Sequence, residues 1–289
     1  MTSSAAKPVV VGIDGSRQSA QAALWAVEQA VRRGVPLRLV YVIRTDLKGS
    51  LTAEEYRSAL DDAKLALHSV RSELEAAGQP AVVQTEIQEG SPAGVLLAES
   101  PYATMICVGS SGIGRMGRAI LGSTAVTVAE SASCSVAIIR SPQSVAPVDD
   151  HTKWVMVPVS VFTHNDVVDT AIDQARLLRR PVLAVGVRRP DLGSTPYDAL
   201  DNLVAQWQEQ YPDVHIYPVS EDTTMSGFLD AHPDMAGSVV IDAGSASEVA
   251  ALIGSVHHAR RDDAERAVIV ARNYVNASAV DASLASPST

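Results

Sequence analysis

The residues best suited to chemistry lie between Met105 and Thr124. An apolar run, Met105-Ile-Cys-Val, ends there in Gly109-Ser-Ser-Gly112, and after nine more residues the chain reads Gly122-Ser123-Thr124. An apolar run broken by glycines predicts a buried strand that ends in a sharp turn, and Gly122-Ser-Thr offers hydroxyl caps to a helix starting near Ala125. Amides gathered in such a loop, beside a helix N-terminus, form a cradle for an anion such as phosphate. A plain long turn is the duller reading, because glycine is permissive rather than functional in itself. Asp14 follows an earlier apolar run, Val9–Ile13, and precedes Gly15-Ser16. An acid in that position either accepts hydrogen bonds from a ligand or closes an Asx turn at a helix start. Arg115 and Arg118 suit a solvated face as well as they suit phosphate.

Other chemistries fail on position. Gly112-Ile-Gly114-Arg-Met-Gly117 satisfies the dinucleotide fingerprint, but that fingerprint belongs after the first strand of a nucleotide-binding unit and needs an acid at the end of the next strand. Here the next strand is the last of its unit and ends in Arg140. Gly109-Ser-Ser111-Gly-Ile113 lacks the second glycine of a nucleophile elbow, and no Gly-Lys-Ser/Thr phosphate loop occurs. The seven histidines show no metal spacing and are expected on the surface. Cys107 and Cys134 sit in apolar strand-like runs and read as buried hydrophobes rather than as a disulfide or a metal site. No catalytic residue and no metal site is assigned.

The elements that must position the glycine loop alternate in type. Runs at Val9–Asp14, Pro36–Ile43, Ala81–Ile87, Met105–Val108 and Ser135–Arg140 read as strands. Helical patterns run from Ser16 to Arg33, Thr52 to Ala77, Ala93 to Ser100 and Ala125 to Glu130. Alternation of this kind predicts a parallel sheet covered by helices on both faces. The pattern then repeats, with strands expected at Trp154–Ser160, Pro181–Val187, Asp213–Val219, Ser238–Ile241 and Ala267–Arg272. Gly244, Gly254, Ser255 and Arg272 lie 132 positions after Gly112, Gly122, Ser123 and Arg140, which marks a tandem repeat at domain scale. The division is a first domain over 7–141, a linker over 142–151, a second domain over 152–273, and a small, polar tail over 274–289 that reads as disordered.

The 289 residues, 46% of them hydrophobic, are enough for two packed cores. A net charge of −10 argues against nucleic acid and anionic membrane as partners. No apolar run reaches the length of a membrane span and the N-terminus has no signal-like segment, so a cytoplasmic protein is expected.

Gly-x-x-Gly, nine residues, then Gly-Ser/Thr, placed after a strand, resembles the nucleotide loop of the universal stress protein family. The resemblance covers roughly residues 7 to 140 and 152 to 273, with the specific motif in the first copy. It implies an α/β fold of two tandem doubly wound, Rossmann-like domains, each a parallel five-stranded sheet of order 3-2-1-4-5. It also implies ATP as ligand, with or without Mg²⁺, in a site formed by Gly12, Asp14, Val42, Gly109, Ser110, Gly112, Gly122, Ser123 and Thr124. In that site Asp14 meets ribose or adenine, the Val42 backbone meets the adenine edge, and the glycines and hydroxyls of the loop take the phosphates. The implied role is a nucleotide-dependent regulator of a stress or growth response, with at most slow ATP hydrolysis. An AMP or cyclic AMP sensor and an enzyme of adenylated substrates are the alternatives. Family members pair through the last strand, so the segments 135–140 and 267–272 are expected to join two chains or the two copies within one chain. At aligned positions Asp14 becomes Ser160, Gly109 becomes Ile241 and Thr124 becomes Val256, which predicts a weakened or absent second site.

Overall fold

The structure, a computed structural model, describes residues 6–45, 51–110, 121–140, 153–160, 163–189, 193–194, 197–232, 235–253 and 266–272. The expected linker (142–151) and tail (274–289) lie outside the described residues.

The first half runs β1 (Val9–Ile13), α1 (Arg17–Arg33), β2 (Leu37–Arg44), α2 (Ala53–Ala76), β3 (Val83–Gly90), α3 (Pro92–Glu99), β4 (Met105–Gly109), α4 (Ser123–Ser131) and β5 (Ser135–Arg140). The helix starts follow local chemistry. The Ser16 hydroxyl accepts from the Ser19 amide, and Thr52 with Glu55 forms a full capping box. Gly34, with φ 65°, closes α1 in the left-handed region that glycine enters without strain. The second half repeats the plan with β6 (Lys153–Val159), α5 (Asn165–Leu178), β7 (Val182–Gly186), α6 (Tyr197–Gln210), β10 (Ile216–Ser220), α7 (Met225–Ala231), β11 (Ala236–Asp242), α8 (Val249–Ile253) and β12 (Arg266–Ala271). The two-residue strands β8 (Arg188–Arg189) and β9 (Gly193–Ser194) form a separate ribbon after β7.

Each half has the strand order 3-2-1-4-5, but the two sheets are not separate. Among the described residues they form one ten-stranded sheet, β10-β7-β6-β11-β12-β5-β4-β1-β2-β3. Within the ten-stranded sheet the ladders of each half are parallel, while β5 and β12 pair antiparallel, Ile138 opposite Val268 and Ala137 opposite Ile269. Left alone, each of these apolar last strands would expose a row of unpaired amides and carbonyls; pairing satisfies both. Alternation along the strands sends side chains into two apolar layers, both continuous across the seam. One packs under α1, α2, α5 and α6 and the other under α3, α4, α7 and α8.

A reciprocal pair of arginines clasps the seam. Arg140 Nη1 donates to the Ile253 carbonyl at the end of α8 (2.7 Å), and Arg272 Nη2 donates to the Ala129 carbonyl of α4. Both bonds satisfy carbonyls near a helix C-terminus with a cation from the other half. Cys107 and Cys134 are buried free thiols, and burial pushes Cys134 up to about 11. No helix among the described residues is long and apolar enough to cross a membrane.

The seam yields a direct test. Ile138→Pro removes a ladder amide and a fully buried side chain from a strand paired on both sides. It should cost roughly 3 kcal/mol or more. The expected outcome is a large fall in the urea midpoint, or aggregation, by the same unfolding assay on both proteins.

Candidate functional site

A cavity of about 530 Å³ opens where the C-terminal ends of β1, β2 and β4 meet the start of α4. This is the point where strand order reverses: the chain passes from β1 outward to β2 on one side and returns to β4 on the other, so the loops splay and leave a crevice. Gly12, Asp14, Val42, Gly109, Gly122, Ser123 and Thr124 all line it. Ser110 does not line it. That residue is buried, with its amide donating to Ile139 and its carbonyl accepting from Gly122, both at 2.9 Å. Its backbone therefore brings the two ends of the glycine loop together. Gly112, Arg115 and Arg118 lie outside the described residues.

The loop ends differ from expectation in how they work. The helix starts at Ser123, not Ala125, with Gly122 as its N-cap and no side-chain cap. The Ser110 carbonyl fixes the Gly122 amide, which sets the helix start two residues earlier. Ser123 and Thr124 are thus the first helical residues, and their hydroxyls sit beside uncapped backbone amides rather than serving as caps. Gly122 has φ −64°, open to any residue, so the turn itself does not demand glycine there. Gly109 does need to be glycine. A Cβ at that position would lie 2.8 to 2.9 Å from backbone and Cβ atoms of Gln18 in α1, so the end of β4 can press against the helix only without a side chain. Gly12 has a similar part, with Leu96 3.0 Å from where its Cβ would be.

Asp14 is half-buried at the cavity edge. Its Oδ1 accepts from the Ser16 amide at 3.0 Å, the Asx turn that a capping role predicts, and its position in the lining makes it accessible to a ligand as well. β1 pairs with β2 only as far as Ile13 opposite Tyr41, so the Val42 backbone extends past the ladder on that side. The walls are apolar, with Val40, Pro92, Leu96 and Val108 around Val42. Sequence reading missed Tyr41 and Arg44, which also line the cavity. Burial and the nearby carboxylates of Asp62 and Asp14 push the Tyr41 phenol up. Arg44 was within reach of strand alternation, which puts it on the same face as Val42.

Residues 5–140 match the family described as "Universal stress protein family". A universal stress protein of Mycobacterium tuberculosis strain H37Rv is 38% identical over 267 residues, covering 92% of this chain and 96% of that protein. A second from the same strain is 34% identical over 266 residues, covering 91% and 95%. The chain belongs to the universal stress protein family. Among solved structures, a universal stress protein from Archaeoglobus fulgidus superposes with a TM-score of 0.68 over 93% of this chain and 98% of that one at 15% identity, a likeness of fold across both halves.

The two universal stress protein repeats differ most at the site. Val155 pairs with Val182 and Ser238, as Val9 pairs with Leu37 and Met105, which makes Ser160 the counterpart of Asp14, as expected. The same ladders make Ser238 the counterpart of Met105, and hence Asp242, not Ile241, the counterpart of Gly109. The constant offset of 132 fails here because the stretch between the fourth and fifth strands is one residue shorter in the second half. Asp242 Oδ1 accepts from the Ser245 amide and Oδ2 from the Ser245 hydroxyl, both at 3.0 Å. A carboxylate of the chain itself thus caps the short 3-10 helix, Ala243–Glu248, that follows β11 directly, and it stands in the wall of the second cavity. Around it the second cavity is smaller, about 260 Å³, and also carries Glu248. Gly254, Ser255 and Val256 lie outside the described residues. Of the histidines, His68, His164 and His215 are exposed and His232 half-buried; among the described residues no group of three or more His, Cys, Asp or Glu is placed to hold a metal.

The close approach at Gly109 is testable apart from any ligand. Gly109→Ala should destabilise the fold by about 1–3 kcal/mol, the usual cost of forcing an extra carbon into a filled space. Chemical unfolding of wild type and variant, both without nucleotide, measures it.

Proposed function

We propose that the first repeat binds ATP and that the chain is a nucleotide-dependent regulator of a stress or growth response. The observation that carries this reading is the convergence, on one cavity, of apolar walls, an acid and an uncapped helix start bearing two hydroxyls. Each part suits one portion of an adenine nucleotide. Val40, Val42, Leu96 and Val108 would hold the base, and the Val42 backbone, past the end of the β1–β2 ladder, would meet its polar edge on that side. Asp14, in the cavity lining, would accept from ribose hydroxyls. The α4 amides with Gly122, Ser123 and Thr124 would take the phosphates, since partial positive charge and unpaired donors gather at a helix N-terminus.

A magnesium ion, if bound with the nucleotide, would be carried by the phosphates and water, because Asp14 is the only acid among the described lining residues. No group there is positioned to act as base toward a γ-phosphate, so the reading is of binding, with hydrolysis at most slow. AMP and cyclic AMP share base and ribose, and the number of phosphates separates them from ATP. Mass spectrometry of the small molecule released on denaturing the purified protein reads that directly: ATP supports the proposal, and AMP or cyclic AMP moves the assignment to a monophosphate sensor.

Gly122→Val tests the site itself. The backbone at 122 tolerates valine, and glycine contributes no side-chain cap there, so folding should persist. The branched side chain would fill the space that phosphate requires. Calorimetry should show ATP affinity reduced by about tenfold or more, with unchanged circular dichroism.

A further inference from the structure

We propose that the polar cavity between the two repeats is a second ligand site, built for a small zwitterion of the α-amino-acid type. It encloses about 430 Å³ and is bounded by the C-terminal end of α1, the starts of β4 and β5, the exposed flank of α5 and the residue following β12. It shares no lining residue with the cavity beside α4.

The strongest sign of a missing partner is Gln174 of α5. Its side chain is fully buried, lines the cavity, and has neither its amide nitrogen nor its amide oxygen hydrogen-bonded within the protein. A buried amide with both ends unsatisfied costs stability, and natural cores retain such groups only where something else completes them. A second orphan faces the same space: Arg272 uses Nη2 on the Ala129 carbonyl, while its buried Nη1 has no partner.

The charges choose the ligand. Arg33, Arg176 and Arg272 face Asp166, Asp169 and Asp173 across the lining, three of each sign, so neither a simple anion nor a simple cation is favoured overall. Several of the groups already have partners: Arg176 makes a bidentate pair with Asp213, Asp169 accepts from the Tyr211 hydroxyl, and Arg33 Nη1 donates to Gln29 Oε1, which leaves its other nitrogens for a ligand. Desolvation pushes the Arg33 guanidinium down and the Asp173 carboxyl up, while the attraction between the two opposes both shifts. Water can satisfy such groups one hydrogen bond at a time, but it brings no charge. A molecule with a carboxylate for Arg33 and Arg272, an ammonium for Asp173, and polar atoms for the Gln174 amide answers all four in one neutral body.

The test uses the full chain. Each proteinogenic L-amino acid is screened singly at millimolar concentration by thermal shift, and any that stabilises is titrated by calorimetry, together with its methyl ester and its N-acetyl derivative. The expected result is one site per chain, with affinity reduced about tenfold or more by removing either charge. Gln174→Leu replaces an unpartnered amide with an apolar group of similar size and should fold. Asp173→Asn is the milder second variant, altering only charge. Both should lose amino-acid binding, whereas Gly122→Val should bind as wild type does, which keeps this result separate from the nucleotide proposal. Failure of every amino acid to bind wild type, equal binding of ester and free acid, or full binding by a folded Asp173→Asn would each overturn the proposal and leave a cavity filled by water.

Discussion

The antiparallel ladder between β5 and β12 is the constraint from which the molecule's asymmetry follows. A doubly wound unit of five parallel strands ends on an apolar strand with one unpaired edge, and covering that edge with its counterpart from the other repeat satisfies both. Because the pairing is antiparallel, the two halves point in opposite directions. The cavity at the strand ends of the first repeat and its counterpart in the second therefore open at opposite ends of one sheet. The same reversal sets α1 against α5 and lays Arg140 and Arg272 across the seam onto α8 and α4. Since α4 carries the helix start of the candidate nucleotide site, the second repeat holds that helix through Arg272 even though, among the described residues, it adds none to the lining.

Covalent tethering of two repeats also frees one of them to change. In the first repeat the end of β4 is a glycine pressed against α1, leaving the next helix start uncapped and open to an anion. In the second, Asp242 stands at the corresponding strand position and spends both oxygens on Ser245. The physical need at a helix N-terminus is the same in both cases, negative charge near unpaired amides. The second repeat meets it, at the 3-10 helix Ala243–Glu248, with a carboxylate that would also repel a phosphate from the adjoining cavity, whereas β4 of the first repeat ends in a glycine.

Much of this was legible in the sequence, for identifiable reasons. Alternating strand and helix patterns implied parallel sheets covered by helices, the family resemblance implied the order 3-2-1-4-5, and capping residues such as Ser16 and Thr52 marked helix starts to within a residue. Asp14, Val42, Gly122, Ser123 and Thr124 all reach the expected cavity. What failed depended on register or on packing between distant segments. The counterpart of Gly109 was off by one because a constant offset cannot see a shortened connection. The role of Gly109 itself, making room for the backbone of Gln18, involves a contact across the sheet that no local pattern announces. Ser110, expected among the site residues, is buried outside the described lining, and its backbone joins the two ends of the loop. The cavity holding Gln174, Arg33 and Arg272 exists only because of how the repeats meet, and no single segment carries its signature.

The proposed reading is one nucleotide site per chain, in the first repeat, with Asp242 disfavouring a phosphate in the smaller cavity of the second. Calorimetric titration of nucleotide-stripped protein with ATP tests it most directly. The account predicts one tight site per chain, carried by the repeat that ends in β5. Two equivalent tight sites would show that Asp242 does not close the second cradle, and would contradict it.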